Sequence, residues 1–342
     1  MNNATTIGLD ISKRVFHLVQ LDESNNIMMR KKLRRSQLEP FFSELPICIL
    51  AMESCGSAHY WARKFIAMGH TVKLLPPQHV KGYLRGQKND FNDALAIAEA
   101  TVHAAIRPVG IKTLEQQDEQ AQHRMRSLII RDRVALSNHI RSFLYERGIV
   151  LILGISVIEK QVPSLLEDAE NDLSDNGREL LARLYQQFER LSEDVQWFTK
   201  RIEAQAKQDE ISVRLTAIPG IGPIVSSALK GWMGDGQHFK KGRDASAALG
   251  LVPRQHSTGG IDKLLGITKK GDSYVRALVV HGARSVVVRS ANKSDSLSLW
   301  VNRIKERRGY NKAVIALANK MVRIAWVVIA RGEDYQPKIV VA

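Results

Sequence analysis

Residues 1–101 constrain the fold most, because three extended runs are followed by a regular alternation of helical and extended patterns. In TTIGLDISKRVFHLVQLD, residues 5–9 and 15–21 are β-branched and apolar runs on either side of a polar turn, and NIMMRKKLRR extends them into an antiparallel meander. SQLEPFFSEL has a helical pattern with Ser36 as the expected N-cap. ICILAMES is short and nearly all apolar, as a buried central strand requires. AHYWARKFIAMG is an amphipathic helix ending at Gly69, and TVKLLPP is a further strand. KNDFNDALAIAEA, residues 88–100, opens another helix, with Asp90 as the candidate N-cap.

The order β-β-β-α-β-α-β-α is that of an α/β ribonuclease-H-like (RuvC-like) fold, in which the first and central strands run side by side. Asp10 stands at the end of the first strand and Glu53 at the end of the central one, so both face one cleft. Asp90 and Asp93, three residues apart, share a helix face that such a fold packs beside them. Taken singly, these residues read as a turn, a solvated strand end and a helix start. Four carboxylates gathered together repel one another unless a divalent cation neutralises them. Oxygen-only ligands suit Mg2+ or Mn2+, which polarise a phosphodiester and activate the attacking oxygen.

Residues 111–210 read as a helical coiled-coil connector between this first domain (1–110) and a mainly α C-terminal domain (211–342). Residues 113–147 contain neither proline nor glycine, and apolar side chains recur at Met125, Leu128, Ile140 and Phe143. A second helix repeats Leu181, Leu184, Phe188, Leu191, Val195, Phe198 and Ile202 at alternating spacings of 3 and 4, a heptad seam. An intramolecular hairpin and an intermolecular coiled coil both satisfy that pattern. In the last domain, LTAIPGIGPIVSSAL resembles a helix-hairpin-helix, whose backbone N–H groups approach a phosphate closely. A loop-rich stretch follows, and RQHSTGG offers the Ser257 and Thr258 hydroxyls beside Arg254 and His256. A serine there would attack a phosphodiester, with nearby arginines stabilising the added charge. Lys269 and Lys270 precede a helix at which they would hold a phosphate. A final amphipathic helix repeats Val314, Leu317, Met321, Ile324 and Val328.

Charge separates these segments. Residues 211–342 carry 22 Lys and Arg against 8 Asp and Glu, whereas 111–210 carry 14 against 18 and 1–110 carry 14 against 9. The whole chain has a net charge of +15, which calls for a polyanionic partner. Arg124, Arg131 and Arg276 join Arg254, His256, Lys269 and Lys270 as candidate nucleic-acid contacts. Cys48 and Cys55 lack the second ligand pair of a zinc site and read as reduced thiols. The N-terminus has no secretory pattern and the apolar run 324–330 is too short to span a bilayer, so a cytoplasmic protein without a membrane partner is expected.

In series, GLDISK, AMES, KNDFNDA, IPGIGP, GLVPRQHSTGG and GITKKGD resemble the DEDD-type transposases of insertion sequences that are guided by a short structured RNA. The resemblance covers nearly the whole length. It implies that Asp10, Glu53, Asp90 and Asp93 form a metal-binding tetrad and that a serine of the C-terminal loop links to DNA. It also implies a bridge (seeker) RNA pairing with donor and target DNA, and composite active sites in a dimer or tetramer. The family's serine commonly stands directly before a glycine, whereas Thr258 here follows Ser257; Ser257 is the expected nucleophile and Thr258 the alternative. Two other functions fit the same residues. One is a metal-dependent nuclease of the Holliday-junction-resolvase type, and the other is a non-catalytic nucleic-acid scaffold.

Overall fold

The computed structural model describes residues 5–87, 89–104 and 106–337. The chain divides into two compact units, Met1–Glu115 and Gln116–Ala342.

The first unit is built on a five-stranded mixed sheet. β1 (Thr6–Asp10), β2 (Val15–Leu21) and β3 (Ile27–Arg34) form the antiparallel meander, and α1 (Arg35–Ser43) follows without a loop. β4 (Ile49–Glu53), α2 (Ala58–Ala67), β5 (Thr71–Leu75), the single turn α3 (Pro77–Val80) and α4 (Asp90–Thr101) complete it. The strand order is β3-β2-β1-β4-β5, with β4 parallel to both β1 and β5. Two expected caps are corrected. The N-cap of α1 is Arg34, not Ser36, and its backbone N–H donates to Gln37 Oε1 at 2.8 Å. The N-cap of α4 is Asn89, whose Oδ1 accepts from the Phe91 N–H at 2.9 Å, so Asp90 is the first helical residue and its carboxylate is not used as a cap.

Strand alternation gives the sheet two different faces. Ile7, Leu9, Phe16, Leu18, Leu50 and Met52 pack on one side against Leu38 and Phe42 of α1 and Trp61 and Phe65 of α2. The alternate residues Val19, Leu21 and Ala51 meet the alanine-rich face of α4. Gly8 lies on this second face, and its missing side chain sets how near α4 comes. A Cβ there would fall 2.5 Å from Ala98 N and 2.8 Å from Ala98 Cβ, and closer still to the Ala94 carbonyl.

In the second unit, α5 (Leu114–Tyr145, its first two residues before the boundary) and α7 (Asp175–Gln208) run antiparallel, with α6 (Ile155–Glu167) between them in sequence. Arg126 Nε donates to Thr199 Oγ1 at 2.8 Å and Arg133 Nη1 to Ser192 Oγ at 3.5 Å, seven residues earlier on one helix for seven later on the other. Leu181, Phe188, Val195 and Ile202 of the heptad seam are buried within the chain. Ile140 is buried as well, but Met125 and Leu128 stand 53% and 46% exposed.

α8 (Glu210–Thr216), α9 (Pro223–Met233), α10 (Gly242–Ala248), α11 (Ser273–Arg289), α12 (Ser296–Arg308) and α13 (Tyr310–Arg331) share one core. α13 is long and apolar enough to cross a membrane, and half of its most apolar window is buried in this core. His123 of α5 is buried where its ring nitrogens meet Ser227 Oγ of α9 and Tyr274 Oη of α11, each at 3.0 Å. The glycine turn between α8 and α9 is explained by packing. Gly220 has φ +88°, and a Cβ on it would lie 2.8 Å from the Gly282 carbonyl of α11. The stretch expected to be a loop after α10 is instead a hairpin of β6 (Pro253–Gln255) and β7 (Leu264–Ile267).

Candidate functional site

Asp10 is the last residue of β1 and shares the α4-facing side of the sheet with Gly8, so its carboxyl meets the first turn of α4. One carboxylate oxygen each from Asp10, Asp90 and Asp93 lie within 4.8 Å of one another. Three of the four expected carboxylates are therefore gathered. Glu53, at the end of β4, stands outside that trio yet within its field.

The electrostatics follow from this crowding. Burial, then the charges of Asp93 and Asp90, push the Asp10 carboxyl from 3.8 up to about 6, with His17 acting in the opposite sense. Burial also raises Glu53, helped by Asp10 and Asp93 and opposed by Lys81. Partial desolvation raises the Cys55 thiol, helped by the charges of Glu53 and Asp10. Carboxylates held together at such a cost, with oxygen donors alone, fit a hard divalent cation such as Mg2+ or Mn2+.

Sequence reasoning missed His17. It lies opposite Asp10 in the β1–β2 register, its Nδ1 is 3.4 Å from Asp90 Oδ2, and the Phe91 ring meets it edge-on at 4.7 Å. The short polar turn 11–14 between two strands already implied that pairing. His17 thus pairs with Asp90 and also lies near enough to Asp10 to act on its carboxyl.

The serine segment is equally defined by local geometry. Gly259 and Gly260 both have positive φ, +55° and +80°, as a two-residue hairpin turn requires. Thr258 pairs with Ile261 across that turn, and His256 N–H donates to the Lys263 carbonyl. Ser257 consequently sits opposite Asp262. Its hydroxyl donates to Asp262 Oδ1 at 2.7 Å, and Gln255 Nε2 donates to Ser257 Oγ at 2.8 Å and to Asp262 Oδ1 at 3.2 Å. The turn signal Gly-Gly was legible; that it makes Asp262 the partner of Ser257 was missed. Arg254 and His256 alternate along the chain with Gln255 and Ser257, the two side chains that are hydrogen-bonded to each other.

The other expected contacts are redistributed. The N-terminus of α11 is capped by Asp272, whose Oδ1 accepts from Tyr274 and Val275 N–H at 2.8 and 3.0 Å. A carboxylate therefore holds the position at which Lys269 and Lys270 were expected to bind a phosphate. Arg276 donates to the Lys270 and Leu249 carbonyls at 2.7 and 3.2 Å, bracing this loop. Arg124 and Arg131 both line a small hollow of about 220 Å³ beside Tyr274.

Residues 7–147 match the model of DEDD transposases of the IS110 group, and residues 212–298 that of the transposase IS116/IS110/IS902 family. A probable family 20 transposase of Pseudomonas aeruginosa is 42% identical over 336 residues, 98% of this chain and 99% of the relative. The transposase for insertion sequence element IS1111A of Coxiella burnetii is 38% identical over 98% of this chain and 92% of its own. That for IS1328 of Yersinia enterocolitica is 42% identical over 97% and 98%. With an acid-lined ribonuclease-H-like first unit and full-length relatives of this kind, the chain belongs to the IS110/IS116/IS902 family of DEDD transposases, enzymes of insertion-sequence transposition.

Proposed function

We infer that this transposase cuts and rejoins DNA through a phosphoserine link at Ser257, with Asp10, Glu53, Asp90 and Asp93 as its divalent-metal site. The observation that carries the reading is the gathering of Asp10, Asp90 and Asp93 oxygens within 4.8 Å, together with the burial that raises Asp10. Asp10, Asp90 and Asp93, with Glu53 nearby, would hold Mg2+ or Mn2+, whose positive charge would offset the negative charge that develops on a phosphodiester during strand cleavage. Ser257 Oγ attacks phosphorus and its proton passes to Asp262, which already accepts it in a hydrogen bond. The bond from phosphorus to the leaving deoxyribose oxygen breaks, and that oxygen takes a proton from solvent. Rejoining reverses the step with another strand's hydroxyl. Thr258, paired within the turn, lacks this partner arrangement and is the weaker choice of nucleophile.

Sequence choice by a bridge-type RNA, paired with donor and target DNA, is part of the same proposal. It is supported by the family motifs and by the basic excess of residues 211–342. Assembly as a dimer or tetramer is supported by Met125, Leu128 and Trp197, apolar side chains exposed on α5 and α7; a location in the bacterial cytosol is part of the same proposal.

The test incubates purified protein, its presumed RNA, Mg2+ and labelled target DNA, and looks for label on protein in denaturing gels. Label trapped on wild type and Thr258→Ala but absent from Ser257→Ala is the expected result. Free cleaved ends without trapped label, still dependent on Asp90, would instead establish hydrolysis by a metal-activated water. No cleavage and no trapped label from wild type, with metal dependence and activity in cells unchanged by Asp10→Asn, would leave only a binding scaffold.

A further inference from the structure

The second unit contains a groove of about 1640 Å³, larger than the roughly 300–1,000 Å³ of small-molecule pockets. The hairpin that carries Ser257 forms one wall, through Pro253 and residues 264–267. α12 and α13 form the opposite wall and the floor. Eight Lys and Arg side chains line it against two carboxylates. Both carboxylates are already paired, Glu333 with Arg331 at 3.7 Å and Asp334 with Arg214 at 2.6 Å. Arg331 is itself one of the eight, so Glu333 offsets one charge from within, and the groove keeps a net positive lining.

Charge and floor differ in character. Arg307, Arg308, Lys312 and Arg323 are exposed along the wall of α12 and α13, and Lys241 and Arg243 are exposed at the start of α10. Between them the floor is apolar, with Leu297, Trp300, Ile304, Ile315 and Val327 half-buried. Lys320 Nζ stands over the Trp300 ring at 4.4 Å, which places a charge and an aromatic surface together. A duplex presents phosphates but turns its base faces inward, so it would leave this floor uncovered. An unpaired strand presents both, with phosphates for the rim and base faces for the floor.

We propose that this groove holds an unpaired DNA strand and leads it along the hairpin to Ser257. The proposal rests on the reading of the chain as a strand-cutting enzyme and adds where the cut strand lies. It also explains why a short hairpin with few neighbours carries the nucleophile: the strand itself covers that wall during reaction.

The test uses full-length protein without metal and three fluorescein-labelled probes: a 12-nucleotide DNA strand, the same sequence as RNA, and a blunt DNA duplex. Anisotropy titrations are run over a salt series for wild type, Lys312→Glu/Arg323→Glu, Trp300→Ala, Trp300→Phe and Ser257→Ala. The expected result is tightest binding of the DNA strand, unchanged in Ser257→Ala. The charge-reversed protein should lose at least tenfold in affinity and show a salt dependence shallower by about 1.4, the release belonging to two phosphates of a single strand. Trp300→Ala should lose about tenfold, with most of it restored by Trp300→Phe, as expected of one stacked base. Thermal melts check that each variant is folded. Unchanged DNA-strand binding in the folded charge-reversed protein would overturn the proposal, as would preference for the RNA or the duplex. The trapping assay for Ser257 is scored separately. Loss of groove binding with no adduct on wild type sinks only the covalent reading, and an adduct on wild type with a groove indifferent to charge sinks only this one.

Discussion

Replacing Asp10 by Asn removes a charge while keeping the shape of the side chain, and the metal-free protein is expected to become more stable at neutral pH. The Asp10 carboxyl lies at about 6 rather than 3.8, through burial first and then Asp93 and Asp90. Because the folded value is the higher one, Asp10 supports folding below about pH 3.8, and that support is lost as pH rises through about 6. A displacement of about 2 pH units corresponds to about 3 kcal/mol. Water reaches a good part of the side chain, and screening reduces the figure to about 1–2 kcal/mol. The assay is hydrogen exchange at pH 8 in chelator, read on peptides covering β1 and β4. Asp10→Asn should exchange about 5- to 30-fold more slowly than wild type there, and the gap should close toward pH 4. Mn2+ should protect wild type and protect the Asn protein far less. An Asn protein that exchanges as fast as wild type at pH 8 without metal, or that gains equally from Mn2+, would refute the reasoning.

Three further outcomes are expected. Gly8→Ala should cost about 1–3 kcal/mol in a urea melt and abolish the protection given by Mn2+, because α4 must move off β1. Asp262→Asn should slow phosphoserine formation about 100-fold in single turnover and flatten its dependence on pH; an unchanged rate would remove Asp262 as proton acceptor. His123 is lowered from 6.5 to about 4, by burial first and then Arg126, so its contribution is whole above about pH 6.5 and is lost as pH falls through 4. That amounts to about 3 kcal/mol, and calorimetry should find the acid loss of stability reduced in His123→Gln.

The first unit was legible because its signals are periodic and local. β1, β2 and β4 carry β-branched or apolar runs that no other element accommodates, and Asp10 and Glu53 follow from where those runs end. The caps were misread for a physical reason. β3 passes directly into α1, so the backbone of Arg34, rather than a serine hydroxyl, begins the helix. At α4 the better cap stood one residue earlier, in Asn89. The hairpin around Ser257 was hidden by composition, since Ser-Thr-Gly-Gly is loop text until the two glycines are recognised as a turn with strands on either side. At the helix start beside Lys269 and Lys270 the sequence already showed Asp272, which caps α11. The charged groove depends on residues far apart in the chain, and no spacing rule joins Lys241 to Arg323.

The hydrogen atom that serves as the side chain of Gly8 acts as a shim. The reach of each carboxylate is fixed by its own bonds, so the gap among the three aspartates is set by how far α4 stands from β1, and that standoff is measured at a position with no charge at all. Any substitution there would widen the ion's seat without touching a ligand. Selection for the metal would then be recorded as constraint on a strand glycine, and a redesign aimed at a larger cation should begin at residue 8 rather than at the acids.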